Sequence, residues 1–337
     1  QAVQFLSGNI EIKPMVMDMK ETFKENSIHH IDFSDVKGQQ HVKRALEIAC
    51  AGGHNIIMIG PPGSGKSMLA KRFPTILPVM SFEESLETTK IHSIMGLVKA
   101  GNGLVTTRPF RAPHHTVSDA GLIGGGQIPM PGEVSLTHNG VLFLDELPEF
   151  KRNVLEVMRQ PLEDGHVTIS SAISSLTYPA NFMLVAAMNP CPFGCTLEQI
   201  KKYVSRISGP LLDRMDIHVE VPALNCQEMT SNLSVEKSEQ IRERVKNARE
   251  AQLIRFTGDK IYCSANITIV LLKRHCKIDS GSEKIMETAI SKLSLSAFAY
   301  DRILKVSHTI TDLAYKEDIQ QEHISEAIQY RTLDREN

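Results

Sequence analysis

The chain contains no tryptophan, and aromatic residues make up only 5% of its 337 residues. Proteins that hold single-stranded nucleic acid by base stacking need such side chains, so this mode of binding is not expected. No apolar run approaches the ~18 residues of a membrane-spanning helix, and no membrane partner is expected. The formal charge of −2 gives no overall attraction for nucleic acid, so any such binding must come from local basic loops.

The start of the chain has neither an initiator methionine nor the basic and apolar stretches of a secretory signal. We therefore expect a fragment or a processed chain, in which residues 1–28 form a linker or the end of a removed segment. The six cysteines are scattered, without the spacing of a disulfide framework. This usage favours a reducing, cytoplasmic location.

Residues 60–67, Gly-Pro-Pro-Gly-Ser-Gly-Lys-Ser, match the P-loop pattern G-x-x-x-x-G-K-[ST]. An apolar run at 56–59 precedes them and a helical pattern follows, which predicts the order strand, turn, helix. Glycines let backbone N–H groups approach phosphates, Lys66 supplies positive charge, and the Ser67 hydroxyl ligates Mg²⁺. The alternative is a glycine-rich turn that binds nothing. The residues predicted to bind ATP here are Gly60, Pro61, Pro62, Gly63, Ser64, Gly65, Lys66, Ser67 and Met68.

Two further strand ends carry candidate catalytic residues. The apolar run 141–144 ends in Asp145 and Glu146, a Walker B arrangement in which Asp145 holds Mg²⁺ and Glu146 polarises the attacking water. The alternative is a solvent-exposed acid pair at a strand end. A second apolar run, 182–187, leads to Asn189, which is predicted to orient the water or sense the γ-phosphate, or else to be a turn residue before Pro190.

The pattern of elements changes along the chain. Apolar strand-like runs alternate with helical patterns up to about residue 225, which predicts an α/β fold with a mostly parallel sheet. A helix is predicted from residue 39 to 50, with one apolar face, and another from 152 to 163. Two β-rich runs within 166–181 predict a hairpin. From about residue 238 the pattern is purely helical.

Four segments together resemble the AAA+ ATPases of the magnesium-chelatase-like group, and in particular the ComM/YifB family. They are residues 60–67, 141–146, 188–192 and 208–214, and residues 108–115 strengthen the likeness. The resemblance implies an α/β AAA+ P-loop core at 29–225, with a helix-2 insert within about 96–140 and a pre-sensor hairpin at 166–181. It implies a small all-helical lid domain at 236–337 and a missing N-terminal domain, of which residues 1–28 are the remnant.

Family members form rings, often hexamers, with ATP between subunits, so the resemblance implies a trans-acting arginine. Arg214 is the first candidate and Arg206 the second, with a surface salt bridge as the alternative for each. The usual sensor-2 arginine is replaced by Phe298, and Arg302, one helical turn on, is a candidate substitute for binding ATP. Of the family's zinc-binding cysteines only Cys191 and Cys195 remain, so no structural metal is predicted.

A polar cluster in the insert comprises Arg108, Arg111, His114 and His115. It either lines a ring channel, contacts a neighbouring subunit, or is a solvated loop without a role.

The family implies a ring ATPase motor acting on DNA in branch migration during natural transformation or recombination. The alternatives are a magnesium-chelatase-type motor subunit that remodels a partner protein, and a scaffold that binds nucleotide without hydrolysing it. An intact Lys66, Asp145 and Glu146 favour hydrolysis.

Overall fold

The computed structural model describes residues 5, 7–8, 31–98, 103–171, 174–190, 203, 206–223, 236–259, 261–293 and 295–331. Cys191, Cys195 and nearly all of the predicted linker at 1–28 lie outside these ranges. Within them, no helix is both long enough and apolar enough to cross a membrane.

The strands, in chain order, are β1 (Ile56–Ile59), β2 (Phe110–Arg111), β3 (Gly124–Gly125), β4 (Met130–Pro131), β5 (Val141–Leu144), β6 (His166–Ser170), β7 (Ser175–Pro179), β8 (Met183–Met188) and β9 (Ile217–Glu220). The α-helices are α1 (Gln40–Gly52), α2 (Lys66–Arg72), α3 (Phe82–Ile94), α4 (Asp119–Ile123), α5 (Glu133–Leu136), α6 (Arg152–Val157), α7 (Arg159–Asp164), α8 (Gly209–Leu212), α9 (Ser238–Arg255), α10 (Ile269–His275), α11 (Ser280–Leu293), α12 (Ala297–Leu313) and α13 (Gln321–Gln329).

The main sheet has the strand order β2-β5-β8-β1-β9, and its neighbouring strands are all parallel. Every residue of β1, β5 and β8 is buried, which explains why their sequences are continuous apolar runs rather than alternating ones. The predicted α/β class, with a parallel sheet followed by a helical domain, is confirmed. The order also brings β8 between the strands that carry the P-loop and the Walker B acids.

Helix α1 lies where the predicted helix 39–50 was expected, but it is buried on nearly all sides rather than on one face. Its predicted apolar residues are fully buried, and the charged Lys43 and Glu47 are buried as well. The reason is tertiary: α1 packs against β9 and also against α9 and α12 of the helical domain. Glu47 is accommodated because its carboxylate pairs with Arg44 at 3.1 Å and with Arg244 of α9 at 2.5 Å.

The glycine- and proline-rich stretch 96–140 contains the edge strand β2, which its local sequence did not reveal. Arg108 beside it is a structural residue, because its guanidinium donates to both carboxylate oxygens of Glu84 and to the carbonyls of Pro78 and Asn139. Arg111 forms a two-pronged ion pair with Glu133, both bonds being 2.6 Å. Both arginines therefore have partners within this chain, and a channel-lining or subunit-contacting role of the loop stays a prediction.

Two short-range predictions have different outcomes. Strands β6 and β7 pair antiparallel, so the hairpin expected within 166–181 is confirmed. The single helix expected at 152–163 is instead divided into α6 and α7 near Met158. Pro161 explains the break, because proline lacks an N–H and its ring clashes with the carbonyl four residues earlier, at Val157, where α6 ends.

Candidate nucleotide-binding site

The site lies at the carboxyl ends of three adjacent strands. Ile59, the last residue of β1, is in register with Met188, the last residue of β8, so the P-loop and Asn189 leave the sheet side by side. The N–H of Gly60 donates to the carbonyl of Met188 at 3.2 Å. On the other side of β8, strand β5 delivers Asp145 to the same edge.

Lys66 is held at the centre of this edge and is almost fully buried. Its Nζ donates to the carbonyls of Gly60 at 2.7 Å and Pro61 at 2.9 Å, and to Asn189 Oδ1 at 3.1 Å. Burial lowers the pKa of Lys66, and the charge of Asp145 partly offsets this effect. A desolvated ammonium group ringed by oxygen atoms is well placed to exchange these partners for phosphate oxygens.

The P-loop and the Walker B strand are joined by one hydrogen bond. Ser67 Oγ donates to Asp145 Oδ2 at 2.7 Å. In the described ranges no three His, Cys, Asp or Glu side chains gather into a metal site. A hydroxyl and a single carboxylate fit Mg²⁺, which binds through one or two carboxylates together with substrate phosphates rather than in an all-protein cage.

Glu146 follows Asp145 in the left-handed region, with φ of 54°, which is uncommon for a residue other than glycine. Its backbone N–H donates to Asp145 Oδ1 at 3.0 Å. Its half-exposed carboxylate lies 3.6 Å from Nδ1 of His115, in the loop that follows β2. The local backbone thus turns the second acid away from the strand axis and leaves it open to solvent.

The turn depends on two glycines for different reasons. A Cβ on Gly60 would lie 2.1 Å from the carbonyl oxygen of Val221, so the close approach of the P-loop to the end of β9 requires glycine. Gly63 faces open space but has φ of +77°, which an L-residue adopts only with strain. Pro62 and Met68 occupy the predicted positions in the turn and in α2.

The sequence comparisons agree with this geometry. Residues 32–229 match the model of "Magnesium chelatase, subunit ChlI", and residues 235–331 match the model of its C-terminal part. The chain belongs to the magnesium chelatase family. Competence protein ComM of Haemophilus influenzae is 44% identical over 98% of this chain and 66% of its own length. Uncharacterized protein YifB of Escherichia coli is 45% identical over 90% of this chain and 61% of its own length. The Magnesium-chelatase 67 kDa subunit of Chlorobaculum parvum is 28% identical over 48% of this chain and 23% of its own length.

Some predicted site residues of this magnesium chelatase family member lie away from the edge of the sheet at which the P-loop begins. Lys66, Ser67, Asp145 and Asn189 are brought together there. Arg214 instead pairs with Glu163 and donates to the carbonyl of Pro210 at 3.0 Å.

The two other candidate arginines also lie elsewhere. Arg206 pairs with Glu149 at 3.2 Å and is about half exposed. Arg302 forms an ion pair with Asp216 at 2.9 Å. Asp216 precedes β9, and its N–H donates to the carbonyl of Asn55, just before β1, so it lies at the amino edge of the sheet. The P-loop leaves the carboxyl edge, and a strand such as β1 is about 13 Å long. Arg302 therefore lies away from the candidate nucleotide-binding site of this chain.

One residue of the site was missed at the sequence level. Gln39 Nε2 donates to the carbonyls of Ser64, at 2.9 Å, and Pro222, at 3.1 Å, and so ties the P-loop to the end of β9. Gln39 has φ of 53°, and nothing in its local sequence marks it. Only the folded chain brings it beside a loop 25 residues away.

Proposed function

We propose that the chain is a magnesium-dependent ATPase that works as an AAA+ ring motor. The proposal rests on the Ser67–Asp145 hydrogen bond, because it joins two motifs 78 residues apart at the end of the P-loop strand. Around it, Lys66 supplies buried positive charge and Asn189 an amide oriented toward that charge. This is the set of groups that phosphoryl transfer to water requires.

Each residue has a distinct role in this proposal. Lys66 and the P-loop amides hold the phosphates, and Ser67 and Asp145 hold Mg²⁺. Bound magnesium ATP supplies the phosphoanhydride bond that water breaks. Glu146 accepts the proton of the attacking water, and its exposed carboxylate leaves room for that water. Asn189 orients the water from the neighbouring strand.

Two substitutions separate binding from turnover. Lys66→Ala is expected to abolish binding of a non-hydrolysable ATP analogue, measured by calorimetry. Glu146→Gln is expected to bind the analogue like the parent chain while ATP turnover falls about 10²- to 10⁴-fold, the usual contribution of a general base. Normal turnover in Glu146→Gln would refute the base assignment. If the parent chain binds ATP but does not hydrolyse it, the alternative of a nucleotide-binding scaffold would be selected.

We propose a homo-oligomeric ring, with a hexamer as the expected form, in which Arg214 reaches the nucleotide of the neighbouring copy. The membership of the magnesium chelatase family and the distance of Arg214 from its own P-loop support this arrangement. Particle mass measured with and without the analogue tests it. In a mixture, Arg214→Ala and Lys66→Ala chains should recover activity, because one supplies the P-loop and the other the arginine. A monomer with full ATPase activity would contradict the ring.

We propose DNA as the partner on which the motor acts, in branch migration during transformation or recombination. The support is the similarity to the competence protein, although this chain spans about two thirds of the length of that relative. ATPase rates with branched, duplex and single-stranded DNA, in the full-length protein, test the proposal. The magnesium-chelatase subunit relative favours a second candidate, a motor that remodels a partner protein. Stimulation by such a protein but by no form of DNA would select it.

A further inference from the structure

The three residues before β9 are each tied to a different part of the molecule. Asn55 Nδ2 donates to the carbonyl of Arg214 at 3.1 Å. Arg331, after α13, donates to the carbonyl of Met215 at 2.5 Å. Arg302, on α12, pairs with the carboxylate of Asp216 at 2.9 Å. Two of these three partners therefore come from the helical domain.

Asp216 is the buried centre of this contact, being 1% exposed. Its second carboxylate oxygen lies 3.1 Å from Nδ1 of His54, whose Nε2 lies 2.8 Å from the hydroxyl of Thr309 on α12. A carboxylate only accepts hydrogen bonds, so His54 carries a proton on Nδ1. The Thr309 hydroxyl in turn donates to the carbonyl of Lys305 at 3.1 Å. Burial lowers the pKa of His54, and Asp216 partly offsets this effect. The helical domain thus reaches Asp216 both directly and through His54.

The backbone of this segment depends on these donors. The N–H groups of Arg214 and Met215 bond within the turn that follows α8, to Leu211 and Leu212. The carbonyls of Arg214 and Met215 point the other way and accept from the side chains of Asn55 and Arg331. Regular strand pairing begins only at Ile217, opposite Ile56. Without the side chains of Asn55 and Arg331, the carbonyls of Arg214 and Met215 would lose the hydrogen bonds that fix their direction.

The side chain of Arg214 extends from this backbone toward the surface, and about one-fifth of it is exposed. A buried ion pair such as Arg302–Asp216 adds little net stability, because desolvation offsets the attraction between the charges. It is effective at fixing one geometry, however. The residue whose geometry is fixed here is the one proposed to act on the neighbouring nucleotide.

We propose that Arg302 and Arg331 are positioning residues for Arg214, which hold its backbone from the helical domain so that its guanidinium meets the nucleotide of a neighbouring copy. The inference rests on the proposed function, in which Arg214 acts in trans. It gives Arg302 a role different from the phosphate contact that its helix position suggested, and it gives the helical domain a part in catalysis.

Amide hydrogen exchange tests the positioning without nucleotide and without activity. In Arg302→Ala, the amides of residues 213–217 are expected to exchange about tenfold faster, because the loss of one buried ion pair loosens this segment. Amides of the P-loop helix α2 should not change. The matched control is Arg274→Ala, on α10 of the same domain, whose side chain is 70% exposed. Unchanged exchange at 213–217 in a folded Arg302→Ala chain would overturn the proposal.

Kinetics tests whether the effect passes through Arg214. Arg302→Ala is expected to lower kcat about 10²-fold, the cost of misplacing a catalytic group by about 1 Å, with binding of the ATP analogue unchanged. In an Arg214→Ala background the same substitution should cause no further loss, because the group that it positions is absent. Equal losses in both backgrounds would contradict the proposal.

Two variants keep the test decisive if Arg302→Ala does not fold. Arg302→Lys retains the charge but not the planar guanidinium, and it should give a smaller loss of kcat than Arg302→Ala. Arg331→Ala should give a loss of kcat similar to that of Arg302→Ala, while the ion pair between Arg302 and Asp216 stays intact. A parent chain without ATPase activity would refute the proposed function. The exchange experiment would then still decide whether the helical domain holds the Arg214 segment.

Discussion

Replacing single glycines with alanine should separate two physical reasons for glycine in the P-loop. In Gly60→Ala, the new Cβ would meet the Val221 carbonyl oxygen at 2.1 Å and Ser64 Oγ at 3.0 Å. The closer contact is with backbone, which cannot rotate away. The chain must therefore separate the P-loop from the end of β9, and we expect a loss of about 2–3 kcal/mol in the free energy of unfolding, as in overpacked cores.

Gly63→Ala should behave differently, because nothing lies within 4 Å of its Cβ position and only the φ of +77° opposes the change. The expected loss is about 1–2 kcal/mol, the cost of a left-handed conformation for an L-residue. Gly209→Ala is the matched control: its Cβ also meets open space, without a positive φ. It should be neutral or should stabilise by about 0.4–1 kcal/mol, because alanine restricts the unfolded chain.

Urea unfolding of the three variants, followed by circular dichroism, gives the order of stability. Titration with an ATP analogue gives the second readout. Gly60→Ala should also weaken binding, because the carbonyl of Gly60 is one of the partners of Lys66. A Gly60→Ala chain as stable as Gly209→Ala would refute the steric reasoning. A Gly63→Ala chain as stable as the parent would refute the conformational one.

Two other predictions concern the polar groups outside the nucleotide site. Arg108→Ala should lower the free energy of unfolding by about 3 kcal/mol, because it leaves Oε1 of Glu84 and the carbonyls of Pro78 and Asn139 without this donor. The half-exposed Arg159→Ala should cost under about 1 kcal/mol. An equal loss in urea unfolding would contradict the structural role of Arg108. Burial alone would raise the pKa of Asp216, but Arg302 and His54 together hold it below the usual 3.8. A carboxyl whose pKa is lowered by folding stabilises the protein above its unfolded pKa, and this contribution is lost as the pH falls through the folded value. Asp216→Asn should therefore have a lower free energy of unfolding than the parent chain at pH 7, and this difference should become smaller below about pH 4. A difference that does not change with pH would contradict this assignment.

The parts of the fold and site that could be predicted are those whose signal is local. The P-loop is eight consecutive residues, and Asp145 and Asn189 each follow directly on a buried apolar strand. Alternating strands and helices then predict a parallel sheet, which places the carboxyl ends of its strands, and so these three segments, at one edge. Motif and topology together therefore suffice to bring Lys66, Asp145 and Asn189 within reach of one another.

The parts that could not be predicted depend on partners distant in sequence. Strand β2 has only two residues, and its strand character comes from pairing with β5. The extensive burial of α1 depends on helices some 200 residues later, as the Glu47–Arg244 pair illustrates. The role of Arg108 follows from Glu84, 24 residues before it, and a run of basic residues carries no sign of that partner.

Arg302 illustrates the limit of helix-face reasoning most clearly. Spacing on a helix correctly predicts that Arg302 lies on the same face as Phe298, but it does not indicate what that face meets. In the folded chain Arg302 meets the amino edge of the sheet, at Asp216 just before β9, whereas Phe298 is exposed. At the other end of the same strand, Val221 packs on Gly60 and Pro222 is bonded by Gln39. One strand thus connects the residues that shape the P-loop with those that fix Arg214. A substitution at Gly60 should therefore be felt first in nucleotide binding, whereas one at Arg302 should be felt in turnover.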